Sequence, residues 1–151
     1  MDIYLLIGQS NMADRGEFKE GDVHEICNVL LLNNQNEFET AINPLNRYSS
    51  IRKEIKMQKM GPGYSFAKSL HAKMPDKKFG LVVNARGGSS IKEWEPGSKY
   101  FLEIIKRGRK AAQYGEIKGI LWHQGESDKN EAKLYSKQFR RMVKHIRKSL
   151  H

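Results

Sequence analysis

Apolar residues come in short bursts along this chain, and the bursts are of two kinds. Ile3 to Ile7 is a compact apolar run that stops at Gly8, and Asn28 to Asn33 encloses a second. Phe79 to Val83 and Ile117 to Trp122 are two more. Their length and β-branched or aromatic content predict buried strands. Elsewhere the apolar residues recur at helical spacing. Phe66, Ala67, Leu70 and Met74 share one face of a helix that Pro75 ends. Phe101, Ile104, Ile105 and Ala112 form a stripe over residues 99 to 114, with Gly115 as the expected C-cap. Tyr135, Phe139, Met142, Ile146 and Leu150 step by four, three, four and four inside a helix from Asn130 to Leu150. Two stretches lack a pattern: a polar loop from Ala13 to Asp22, and residues 33 to 60, rich in Asn, Lys and Glu. The latter reads as an irregular, surface-exposed excursion. Strands alternating with helices predict a parallel sheet covered on both faces, an α/β sandwich in one domain spanning residues 1–151.

Composition narrows this further. A chain of 151 residues has room for one ordinary domain. A single cysteine, Cys27, excludes an internal disulfide framework and a Cys-rich zinc module. No stretch approaches the roughly 20 apolar residues of a membrane-spanning helix. The N-terminus lacks a basic segment ahead of its short apolar run, so no signal peptide is expected; the compartment stays open between the cytoplasm and a processed secreted form. Lys plus Arg number 27 against 17 Asp plus Glu, a net charge of +10. That balance invites an acidic partner such as nucleic acid. Yet Lys133, Lys137, Arg140, Arg141, Lys144, Arg147 and Lys148 lie on a helix whose other face is apolar, the pattern of a solvated surface. No aromatic platform interleaves with them, so nucleic acid is not the expected partner.

Three of the four strand candidates end in loops of unusual composition: Gly8-Gln9-Ser10-Asn11-Met12, Asn84 to Ser90, and His123 to Asp128. In a parallel sheet such loops share one edge, where ligands bind. Ser10 follows a strand and a glycine, a position suited to a nucleophile or to a helix cap. Gly87-Gly88 would let backbone N–H groups approach a ligand, or would simply form a turn. The Gln124 amide could add an oxyanion donor or satisfy loop backbone. His123 adjoins Trp122, and strand alternation points it away from Gln124. Glu126 and Asp128 could orient a histidine; loop hydrogen bonds are the commoner use.

Taken together, Gly8-Gln9-Ser10-Asn11-Met12, Gly61-Pro62-Gly63 with Ser65-Phe66-Ala67, Gly87 to Ile91 with Trp94, and Trp122 to Asp128 resemble one family. It is the sialate O-acetylesterase-like branch (carbohydrate esterase family six, which includes acetylxylan esterases) of the SGNH/GDSL hydrolases. The likeness runs from residue 1 to about 145, with the blocks in the family's order. It implies a flavodoxin-like three-layer sandwich and hydrolysis of acetyl esters on carbohydrate, with no metal or organic cofactor. Carried over by position, Ser10 matches the nucleophile. The backbone of Ser10 and of Gly87-Gly88, the Gln124 side chain and the adjoining Gln9 match the oxyanion and substrate-binding set.

The resemblance also implies a base: a histidine in an Asp-x-x-His block near the family's C-terminus, after a further strand. None of His24, His71, His123, His145 and His151 sits in such a block. His151 could swing toward a site, but a terminal residue holds geometry poorly. The expectation is therefore a domain lacking that segment, with a sheet incomplete at its C-terminal edge and an unpaired edge on the fourth strand. Self-association or a completing chain would cover it. Two activities compete: an acetyl-ester hydrolase, and a carbohydrate-binding remnant that binds without cleaving.

Overall fold

The computed structural model describes residues 1–150; His151 lies outside them. Five strands form one sheet: β1 (Asp2–Gly8), β2 (Val29–Leu32), β3 (Phe38–Thr40), β4 (Phe79–Ala85) and β5 (Glu116–His123). Their order is β3-β2-β4-β1-β5. β2, β4, β1 and β5 run parallel, and only β3 is antiparallel, to β2. The three helices are α1 (Pro62–Lys73), α2 (Lys99–Ala111) and α3 (Ala132–Leu150).

Strand alternation divides the core in two. Along β1, Ile3, Leu5 and Ile7 point to one face, where they pack with Val82, Ile104, Trp94, Met142 and Ile146 under α2 and α3. Leu6 points to the other face, with Leu31, Leu81 and Val83 of the neighbouring strands and Tyr64 and Ala67 of α1. The expected three-layer α/β/α architecture is what the chain forms. The four predicted strands are present, each within one or two residues of the expected bounds.

Three local expectations change. Residues 33–60 are not a surface excursion. They contain β3 and two 3-10 turns, Leu45–Tyr48 and Ile55–Met57, and bury Ala41, Asn43, Leu45, Asn46, Ser49, Ile51 and Gln58. Gly115 does not cap α2, which ends at Ala111 with Ala112 at its C-cap. Instead Gly115 lies against the Met1 carbonyl, where a Cβ would fall 2.1 Å from that oxygen. The last helix begins at Ala132, after a 3-10 turn over Glu126–Glu131.

β5 forms the edge of the sheet, as expected for the fourth predicted strand. Among the described residues only β1 pairs with it. Every residue of β4 is buried, whereas β5 is only half-buried along its length. An apolar groove of about 280 Å³ runs between β5 and α3, walled by Ile117, Ile120, Trp122, Phe139 and Val143.

Candidate active site

β4, β1 and β5 are adjacent, and their C-terminal ends are level. Gly8 pairs with Ala85 on one side and with His123 on the other. Two residues further on, each strand delivers a candidate group: Ser10, Gly87 and Gly125, the last flanked by Gln124. The sheet register therefore brings the three loops to one place. Gly8 is required at the centre. Its φ is +144°, and a Cβ there would lie 2.1 Å from the His123 carbonyl oxygen. The Gln9 N–H donates to that carbonyl at 2.9 Å, and the Arg86 N–H to the Gly8 carbonyl at 3.0 Å. These bonds splice the first and third loops, and the first and second, directly together.

Ser10 is half-buried at the mouth of this edge. Its carbonyl accepts from Ala13 N–H at 3.1 Å, closing a tight turn. Gln9 is buried, 3% exposed, and its Oε1 accepts from the N–H groups of Gly125 and Ser127, each at 3.3 Å. Its side chain thus ties the Ser10 loop to the third loop and is spent on that tie. Gln124 donates from Nε2 to the Ser89 carbonyl at 3.0 Å and to Asp128 Oδ2. Both amide hydrogens are engaged, so in this arrangement Gln124 braces the second loop against the third. To reach an oxyanion it must release one of them. Its Oε1 is buried without a partner. Asp128 also accepts the Ile91 N–H at 2.9 Å. The loop hydrogen bonds expected of the acidic pair are found, and Glu126 accepts from Asn11 Nδ2 at 2.8 Å.

The Gly87-Gly88 turn rests on Ser89. The Ser89 hydroxyl donates to the Arg86 carbonyl at 2.9 Å and accepts from Trp94 Nε1 at 3.0 Å. Gly88 has φ +78°, a left-handed value that glycine adopts without strain.

A second frame supports the site from the β4 side, and sequence reasoning missed it. Asn46 is fully buried. Its Nδ2 donates to Gln58 Oε1 at 2.7 Å and to the Ala85 carbonyl at 3.2 Å, and its Oδ1 accepts the Ala85 N–H at 3.0 Å. It thus satisfies both backbone groups of the last residue of β4, as a neighbouring strand would. Its own N–H donates to Asp14 Oδ2 at 2.7 Å. Asp14 belongs to the loop that carries Ser10 and sits at φ +58°. Burial pushes its carboxyl up from 3.8 to about 7, against the lowering effect of the Asn46 N–H and the Arg15 charge. Arg15 then donates to the carbonyls of Ala13, Asp14 and Met57. The chemical signal for this frame was the run Asn43-Pro44-Leu45-Asn46, but a single buried amide leaves no periodic trace.

Among the described residues no histidine hydrogen-bonds to Ser10. His123 is exposed at the end of β5, and His145 Nδ1 lies 2.8 Å from the Arg141 carbonyl oxygen on α3. The described residues contain no group of His, Cys, Asp or Glu placed to hold a metal ion. None of their helices is long and apolar enough to cross a membrane.

A flavodoxin-like α/β sandwich with three polar loops at the C-terminal edge of its central strands is the architecture of the SGNH-type hydrolases. A family model described as carbohydrate esterase, sialic acid-specific acetylesterase, matches residues 1–151, and the chain belongs to that family. It is 33% identical to a probable carbohydrate esterase of Arabidopsis thaliana, over 98% of this chain, and spans 64% of that relative's length. The crystal structure of the Arabidopsis protein superposes with a TM-score of 0.87 at 32% identity, covering 99% of this chain and 68% of the other. The fold is also shared with NanS, at TM-score 0.76, 18% identity and 98% and 61% coverage. A carbohydrate acetylesterase from Xanthomonas citri gives 0.64, 21%, and 99% and 39%.

Proposed function

We propose that this chain carries the nucleophile and oxyanion frame of a carbohydrate O-acetylesterase acting on acetyl esters of sialate or xylan. The observation that supports this most is the register of β4, β1 and β5. It sets Ser10 level with the Gly87-Gly88 turn and the Gln124-Gly125 loop.

In this reading the Ser10 hydroxyl attacks the acetyl carbonyl. The carbonyl oxygen gains negative charge, and backbone N–H groups of Ser10 and of the Gly87-Gly88 turn face it. Each such donor contributes about 3 kcal/mol or somewhat more to the transition state. Collapse expels the sugar alkoxide, which takes up a proton, and leaves an acetyl-serine. Water then attacks and releases acetate. A serine hydroxyl needs a base to take its proton. No described histidine is bonded to Ser10, which favours a second reading beside the first: glycan binding with slow cleavage or none.

Turnover of p-nitrophenyl acetate and labelling by a fluorophosphonate, each compared with Ser10→Ala, test the proposal. Labelling at Ser10, and turnover lost in the variant, are expected, with added imidazole raising the rate of the natural chain above that of the Ser10→Ala protein at the same imidazole concentration. Equal turnover by both proteins and no label on Ser10 overturn it. Glycan binding without labelling supports the second reading.

A further inference from the structure

Arg15 leaves the loop that carries Ser10 and reaches across to the second loop. Its Nη1 donates to the carbonyls of Ala13 and Asp14 in its own loop and to that of Met57, the last at 2.6 Å, which anchors it to the 3-10 turn Ile55–Met57. Its Nη2 is buried and has no partner. That nitrogen lies 3.0 Å from the point a Cβ on Gly87 would occupy, with Cζ at 3.8 Å and Nε at 3.9 Å. Chain neighbours aside, the three atoms nearest that point all belong to Arg15, so one edge of the guanidinium lies along Gly87. Gly87 is buried, and a side chain there would push the guanidinium away.

Nη1 alone serves the three carbonyls, and a lysine ammonium carries enough donors to do the same. What arginine adds is the second nitrogen, and the chain gives that nitrogen no acceptor. Arg15 is also in no ion pair among the described residues. Burial lowers its pKa from the usual arginine range, and the charge that draws it back up is that of Asp14. The Asp14 carboxyl is itself pushed up to about 7 by burial, and its Oδ2 accepts the Asn46 N–H. A buried donor without an acceptor and a buried cation without an ion pair each cost stability. Here they coincide, against the turn whose N–H groups face the developing oxyanion in the reading above. Among the described residues the Gly87 and Gly88 N–H groups donate to no backbone carbonyl. Negative charge arriving on that turn is what a cation packed against it stabilises.

We propose that Arg15 is a positioning residue for the oxyanion turn: it ties the Ser10 loop and the 55–57 turn to Gly87, fixes the Gly87 N–H relative to Ser10, and sets a positive charge beside it. Arg15 acts through Gly87 and does not touch the substrate. The inference rests on the acyl-transfer reading for what the turn does. The placement of the turn is measured separately, by hydrogen exchange, so the two can fail independently.

The test combines fluorophosphonate inactivation of the full chain at Ser10, resolved into KI and kinact, with amide hydrogen exchange. Arg15→Met fills the same space without charge. It should lower kinact roughly tenfold to thirtyfold with KI unchanged, less than the roughly hundredfold or more lost with a donor that touches the oxyanion. Arg15→Lys keeps the charge but not the second nitrogen and should fall between the two. Added guanidinium should restore part of the rate to Arg15→Ala and none to the natural chain. Exchange should quicken at Gly87 and Gly88 in Arg15→Met, while Ala85, on the Asn46 frame, keeps its rate and reports that the sheet is intact. Where Arg15→Met fails to fold, Arg15→Lys carries the same comparison. The proposal is overturned by an unchanged kinact in both variants, by a raised KI with kinact unchanged, or by quickened exchange at Ala13 and Met60 with none at Gly87 and Gly88. A natural chain that takes no label at Ser10 overturns the function proposed above, and exchange at Gly87 and Gly88 then decides the positioning role by itself.

Discussion

The two sides of the candidate site are held by hydrogen-bond frames of very different quality. On the β4 side, Asn46, Asp14 and Ser49 are at most 5% exposed, and every bond that Asn46 makes is 3.2 Å or shorter. The strand beneath is buried throughout. On the β5 side, Gln9 reaches the third loop through two longer bonds of 3.3 Å to N–H groups of half-buried or exposed residues. The strand beneath is half-buried and has one neighbour. The contrast follows from sheet position. A strand flanked on both sides is fixed by two ladders and two packed layers; an edge strand has one ladder. The turn that would bind the oxyanion therefore stands on rigid ground, and the loop that closes the site from the other side is the part free to adjust.

Removing the rigid frame should have the largest effect. Asn46→Ala leaves the Ala85 N–H and Gln58 Oε1 buried without these partners, while the Ala85 carbonyl keeps the Ser49 hydroxyl. At about 1–3 kcal/mol for each group stranded, the loss should be about 4 kcal/mol in urea unfolding. A loss below about 1 kcal/mol would erase the distinction between the two sides.

The next effect is a pH dependence. Asp14 titrates at 3.8 unfolded and at about 7 folded, so the folded state holds the proton more tightly. Stability conferred by the neutral carboxyl is complete below about pH 4 and is lost as pH rises toward and through 7. Asp14→Asn keeps an oxygen for the Asn46 N–H but cannot ionise. The variant should be more stable than the natural chain at pH 8, by an amount on the order of 4 kcal/mol, and this advantage should vanish near pH 4. Parallel stability curves for the two proteins from pH 4 to 8 would remove Asp14 as the cause.

Smaller effects belong to the β5 side. Gln9→Ala should cost about 1.5 kcal/mol, because the two N–H groups it serves lie near solvent and water can replace it. Hydrogen exchange should quicken at Gly125 and Ser127 and stay unchanged at Ala85. Equal quickening at Ala85 would mean that the frames act as one unit. Smallest of all is the packing contrast. Ile120→Ala on half-buried β5 should cost about 1 kcal/mol, against roughly 2 kcal/mol or more for Val82→Ala on β4, although isoleucine loses more atoms.

Much of the fold was legible because apolar runs and helical stripes report burial directly. The Ile3–Ile7 and Phe79–Val83 runs found central strands, and the Tyr135-to-Leu150 stripe found α3. The loops that hold Gln9, Ser10, Gly87, Gly88 and Gln124 were legible because glycine and polar residues closing an apolar run mark the functional edge of a parallel sheet. β3 was missed because Phe38–Thr40 is too short to alternate visibly. The 43–58 segment was misread because it is buried through hydrogen bonds to strand ends rather than through an apolar face.

By itself, then, the sequence determined the four parallel strands, the three helices and the polar loops that close the central strands. Those properties depend on each segment's own apolar period and on neighbours a few residues away. The tertiary structure decided how individual polar groups are used. It made Gln9 a tie, gave both Gln124 hydrogens to a brace, placed Asn46 at the end of β4, and set Arg15 against the Gly87 turn. Such assignments depend on which distant partner satisfies each buried donor and acceptor, and that pairing exists only once the strands are in register.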